Sequence, residues 1–208
     1  MRARARWTCF AGVVVGGLAT TAFAGGIAGL AGARGPAGAT AIKLGSNNAK
    51  AAAAAGLCST GFSWVQRKTA PTSPSYRVPA TGKITSWTTS AGSSAATARL
   101  KIWRPTSNPA QFIPVAQSLI RTIPGGEKLT TFPASIPVHK GDRIGIVSLS
   151  GVPDCIYYAP GAKSGDVAAY TSGNPTSGTP TFTDCVAKGC VGTGQSRLNL
   201  SVTFRPTS

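Results

Sequence analysis

From Phe62 to the C-terminus the chain holds no helical period. Short apolar alternations are instead broken by Gly, Pro, Ser and Thr at intervals of roughly ten residues, the spacing of a β-sandwich or barrel. The clearest strand is the last, Arg197 to Arg205. It puts Leu198, Leu200, Val202 and Phe204 on one face and Arg197, Asn199, Ser201 and Thr203 on the other. Ala98, Leu100 and Ile102 alternate with Arg99, Lys101 and Trp103, and Arg104-Pro105 ends that strand because proline cannot donate to a ladder. Further strands are expected at Phe62–Lys68, Tyr76–Val78, Lys83–Thr89, Phe112–Thr122, Lys128–Phe132, Arg143–Leu149, Cys155–Tyr158, Val167–Tyr170 and Thr181–Phe182. About ten or eleven strands suit an all-β, two-sheet antiparallel β-sandwich of jelly-roll type.

The N-terminus reads differently. Met1 to Arg6 is a basic stretch, and Trp7 to Ala33 runs without a charge through Val13, Val14, Val15 and Leu18. This is the pattern of a secretory signal peptide, with Ala22-Phe23-Ala24 the preferred cut and Ala31-Gly32-Ala33 or Ala37-Gly38-Ala39 also well formed. Gly and Ala contribute little transfer energy, which disfavours a retained membrane anchor. The expected organisation is a signal peptide over 1–24, with a cut as late as 39, a flexible Ala/Gly-rich lead-in over 25–57, and one sandwich domain over 58–208. The expected localisation is secreted or cell-surface associated, with no membrane contact after cleavage.

Export changes the meaning of the cysteines. Cys58, Cys155, Cys185 and Cys190 survive cleavage, an even number that argues for two disulfides with three possible pairings. Cys185 and Cys190 bracket a short Val-Ala-Lys-Gly insert able to close a local bridge, leaving Cys58 for Cys155. The chain-entropy model assigns about 4–5 kcal/mol to that long loop and about 2 to the short one. Zinc is disfavoured, because no C-x-x-C exists and the one histidine, His139, lies in an unrelated segment.

The chain carries 21 basic and five acidic residues. Without Arg2, Arg4 and Arg6 the net charge falls from +16 to +13, still enough to attract polyanions. The acids are too few and too scattered for a pair of glycosidase carboxylates. Asp154, Asp166 and Asp184 lie in loop-rich sequence, where calcium is the metal they suit, but isolated loop acids read first as solvated turn residues. A hydrolytic triad would have to run through His139, which sits in Pro137-Val-His-Lys-Gly-Asp142. That segment reads as a turn, with Gly141 at positive φ and Asp142 bonding local backbone. No catalytic residue, cofactor or resident metal is expected.

One surface stands out as a candidate ligand platform. Lys83, Thr85 and Trp87 share a side of one strand, Arg99, Lys101 and Trp103 share a side of the next, and a hairpin through Ser90–Ala96 would make the strands neighbours. Two flat aromatics among cations suit an anionic glycan or another polymer of the envelope. The competing reading buries the tryptophans beneath a loop, with the cations snorkelling around them. Binding to nucleic acid would be nonspecific, as for any chain this basic.

Cys58…Phe62-Ser-Trp64-Val-Gln66, Val78-Pro-Ala-Thr-Gly82-Lys-Ile84-Thr-Ser-Trp87, Leu100-Lys-Ile-Trp-Arg104-Pro105, Thr131-Phe132-Pro133 and Ile136-Pro-Val138-His-Lys-Gly141-Asp142-Arg-Ile144-Gly145 together resemble a group of secreted bacterial β-sandwich proteins of unassigned function. The resemblance covers roughly Cys58 to Pro206. It implies architecture rather than activity. It also implies the Cys58–Cys155 pairing, since the group's cysteines match those positions, whereas the Cys185–Cys190 insert departs from its pattern. The expected role is therefore a secreted, non-enzymatic binding module for a carbohydrate or polyanionic envelope polymer. The alternatives are a structural or protein-interaction module and a secreted hydrolase with an atypical site.

Overall fold

A computed structural model describes residues 40–48, 60–151, 165–185 and 195–207, with the backbone of Ile156–Tyr157. Among the described residues the regular structure is β, with no α-helix. The strands are β1 (Ile42–Ser46), β2 (Phe62–Lys68), β3 (Gly82–Thr89), β4 (Ala96–Pro105), β5 (Phe112–Gln117), β6 (Arg121–Ile123), β7 (Thr130–Val138), β8 (Arg143–Ser150), β9 (Ile156–Tyr157), β10 (Val167–Ser172), β11 (Thr183–Asp184), β12 (Arg197–Leu198) and β13 (Leu200–Pro206). They form an antiparallel four-stranded sheet in the order β1-β13-β3-β7 and an antiparallel seven-stranded sheet in the order β11-β10-β2-β8-β4-β5, with β6 also on β4. β9 and β12 pair separately.

Both sheets feed one core. Leu44, Ile84, Trp87, Val202 and Phe204 come from the smaller sheet and Trp64, Leu100, Ile102, Ile144 and Ile146 from the larger, all buried in a single cluster. A second cluster of Val65, Trp103, Phe112, Ala169 and Phe182 occupies the other face of the seven-stranded sheet. The segment 173–182 crosses that face. Lys101 of β4 donates to Asn174 Oδ1 at 2.6 Å and to Pro175 O at 2.5 Å, and the Phe182 amide donates to Ala110 O at 2.7 Å. β11 then pairs with β10 at the sheet edge.

Several expected elements shift, each for a physical reason. β1 lies inside the stretch expected to be a flexible lead-in. It pairs with β13 from Ile42↔Phe204 to Ser46↔Leu200 and buries Leu44. β7 runs through Pro133 and Pro137, where the sequence reading stopped. It is an edge strand, so a proline need not donate on its open side. The expected Phe112–Thr122 strand divides into β5 and β6. Between them the register on β4 slips by one residue, from Lys101↔Gln117 to Ala98↔Arg121, while Ser118 bonds Leu100 twice, through its amide and through its hydroxyl. The last strand breaks at Asn199, whose buried amide side chain bridges Asn48 and Ser90.

Candidate anion-binding site

The expected aromatic platform is not assembled. β3 and β4 lie in different sheets, so the Ser90–Ala96 connection does not make them partners. Trp87 and Trp103 are both 0% exposed. Along β3, Ser86 pairs with Thr203 and Ile84 with Phe204, so Thr85 is one extra residue relative to β13. That bulge inverts the alternation. Trp87 thereby joins Ile84 in the core and packs on Phe132, with ring centroids 4.8 Å apart, while Lys83 remains exposed.

Trp103 does point away from the main core, as period two requires, but Phe112 and Phe182 cover it. Its ring meets that of Phe182 edge-on at 4.9 Å and 82°. Below it, a Cβ on Gly145 would sit 2.6 Å from Trp103 Nε1 and 2.2 Å from Trp64 O, so only glycine fits. Arg99 is half-buried, and Lys101 is 1% exposed.

Lys101 acts as a strap anchor rather than a ligand contact. Its ammonium donates to Asn174, Pro175 and, at 3.3 Å, Gln117 Oε1, and lies 5.1 Å from the Trp103 ring centroid. Burial, and then the nearby Arg99 charge, lower its pKa from 10.5 to about 8. Between those values the unfolded chain holds a proton that the folded chain has released, so folding stability gains with rising pH. Relative to Lys101→Met, the wild type is expected to become more stable as the pH rises from about 8 to 10.5. Urea denaturation across that window checks the prediction, and a flat or falling difference contradicts it.

Two of the three carboxylates expected in loops, Asp166 and Asp184, are engaged by arginines. Asp166 is buried and accepts from the Ala70 amide at 2.8 Å, Ser73 Oγ at 3.0 Å and Arg197 Nη2 at 2.5 Å. Asp184 pairs with Arg67. Asp142 accepts from Arg104 Nε at 2.9 Å and from the His139 amide at 2.9 Å. The His139–Asp142 segment is the expected turn, with Gly141 at φ 96° and His139 exposed on its rim. No group of three metal-ligating side chains occurs among the described residues, and Asp154 lies outside them. Cys185 is buried and disulfide-bonded, whereas Cys58, Cys155 and Cys190 lie outside the described residues.

What the fold does bring together is cationic. Arg143 opens β8, pairs with Trp103 of β4 and forms an isolated bridge with Arg77. Arg67, on neighbouring β2, lies two residues beyond Val65, the partner of Gly145. Arg143 Nη1 donates to Gln66 O at 3.1 Å, while Arg143 Nε and Arg67 Nε are buried without an acceptor among the described residues. Burial, then the charges of Arg77 and Arg67, hold the Arg143 pKa below its usual value. Asp184 is the carboxylate that joins this group, through Arg67. No local motif marks the cluster, because Arg67, Arg77 and Arg143 meet only through the β2–β8 pairing and the bridge beside it. Compared with protein-family models, curated proteins and solved structures, the chain matches none, and the resemblance to secreted β-sandwich proteins stands on its motifs alone.

Proposed function

We propose that this chain is an exported, non-enzymatic module that binds an anionic polymer of the cell envelope, on a jelly-roll-like sandwich built from its two sheets. One observation carries the reading: Asp142, Asp166 and Asp184 are all engaged by arginines, which leaves Glu127 as the one acid without an ion pair among the described residues. The described residues include fourteen Lys or Arg and four acids, and three of those cations hold the three aspartates. The other eleven have no ion pair among the described residues, and Lys43, Lys68, Arg77, Lys83, Lys128, Lys140 and Arg205 are exposed. An outward field of one sign raises the local concentration of polyanions. With both tryptophans buried, charge rather than ring stacking drives the binding.

The test is titration of the oxidised protein with acidic glycans, other anionic polymers and neutral glycans at low and near-physiological salt. Binding confined to the anionic set, with log K falling as log salt rises, is expected. Equal affinity for neutral glycans, or no binding at low salt, contradicts the reading.

A protein-interaction role has one observation in its favour. Leu119 and Ile120 are 73% and 51% exposed and line an open cleft with Arg99, Gln117, Ser118, Ser135 and Ile136. Apolar contact of this kind is not screened, so a partner captured at high salt and lost in Ile120→Asp would favour that role over the first.

A further inference from the structure

The Arg67–Arg77–Arg143 cluster is electrostatically incomplete. Three guanidiniums share one end of the outer face of the seven-stranded sheet, and one carboxylate, Asp184, is paired within the group. The nearest other acid in sequence, Asp142, is held by Arg104 and the His139 amide. Even a half-buried cation is costly to hold without a counter-charge, and like charges beside it add to the cost. Folding nevertheless holds Arg143 there by backbone, through its pairing with Trp103 on one side and Arg77 on the other.

The donors are also under-used. A guanidinium presents five N–H groups in a planar fork, and Gln66 O is the acceptor that Arg143 reaches, at 3.1 Å. Arg143 is only half-buried, so part of its fork remains open. Arg77 is exposed, and its guanidinium lies over the Gly141 turn, 3.6 Å from where a Cβ on Gly141 would stand. With Ser75, Val78, Pro79 and Lys140 it also lines an open cleft of about 280 Å³. That cleft gives a chain-like ligand a path past the cluster with a second cation, Lys140, along it.

We propose that Arg143, flanked by Arg67 and Arg77, is the seat for one oxyanion of the bound polymer, a carboxylate or a phosphate, with the Arg77–Lys140 cleft carrying the adjoining repeat unit. This rests on the polyanion-binding reading and gives it a place on the molecule. Planar forks match both oxyanions through paired N–H···O bonds, which a lysine ammonium cannot reproduce.

The experiment compares the wild type, Arg143→Gln, Arg143→Lys and the control Arg205→Gln on the other sheet, each shown to be folded by thermal unfolding. Affinities are measured for polygalacturonate and for poly(glycerol phosphate) at near-physiological salt. In parallel, inorganic phosphate and acetate are titrated into the wild type while the Arg143 Nε–H resonance is followed. Arg143→Gln is expected to lose about 10- to 100-fold in affinity, and Arg143→Lys nearly as much despite its retained charge. Arg205→Gln is expected to lose only about two- to threefold, as one exposed cation among many. The Arg143 resonance should shift saturably with the anion whose polymer binds better, which separates the carboxylate source from the phosphate source. Should Arg143→Gln unfold, Arg143→Lys and the wild-type resonance decide. Equal losses in the Arg143 and Arg205 variants, or an unmoved Arg143 resonance, overturn the seat while polymer binding survives. Failure of the wild type to bind either polymer even at low salt removes the polyanion reading and the seat together.

Discussion

Replacing Asp166 by alanine is expected to destabilise the protein by about 3–5 kcal/mol, a large part of the roughly 5–15 that holds an ordinary domain together. Both oxygens of this buried carboxylate are used. Oδ1 accepts from the Ala70 amide, and Oδ2 from Ser73 Oγ and from Nε and Nη2 of Arg197. It therefore ties the loop after β2, the start of β10 and β12 to one another. Removing it takes the Asp166 carboxylate away from the guanidinium of Arg197, itself buried. The double variant Asp166→Ala/Arg197→Met should recover part of the loss, because the guanidinium left behind accounts for much of it and not the net worth of the pair. Chemical denaturation of the three variants checks this. A single-variant loss under 1 kcal/mol, or a double variant worse than the sum of the singles, would sink the account.

Trp103→Ala is the second large effect, at about 3–5 kcal/mol for emptying a large aromatic site. Three neighbours depend on that ring. Phe182 packs edge-on against it, Gly145 has no side chain so that the indole can lie close, and the Lys101 ammonium stands 5.1 Å from its centroid. The segment 173–182 is consequently expected to loosen, with faster hydrogen exchange at the Phe182 amide that now bonds Ala110 O. Polymer affinity of the folded variant should stay within about threefold of wild type, since Trp103 contributes stability and not a stacking surface. Unchanged stability with abolished binding would restore the exposed-platform reading and refute the buried one.

Much of the fold was legible because strand periodicity is local. β2 spans Phe62–Lys68 as read from its sequence, and Gly82 to Thr89, Arg143 to Ser150 and the alternation ending in Phe204 sit within a residue or two of expectation. The Gly141 turn was legible for the same reason, since glycine, aspartate and their spacing specify it within four residues. β1 was not. Its five residues carry little hydrophobic signal, and β13 supplies the hydrogen bonds that make them a strand. The candidate platform failed on two non-local facts, a one-residue bulge that turns Trp87 inward and a strap from more than seventy residues downstream that roofs Trp103.

By itself the sequence determined the β class, the positions of the strongly alternating strands, the turn at Asp142 and an excess of positive charge, whereas the strands expected at Tyr76–Val78 and Thr181–Phe182 are only isolated bridges at Arg77 and Thr181. Tertiary structure alone decided which side chains meet. It separated Lys83 and Trp87 from Lys101 and Trp103 by assigning their strands to different sheets. It placed Asp166 on Arg197 and Asp184 on Arg67, and it drew Arg67, Arg77 and Arg143 to one end of a face. The physical reason is that alternation specifies only the side of a strand on which a residue lies. Sheet order, bulges and crossing loops specify what faces it, and these are settled by burying both faces of the larger sheet at once.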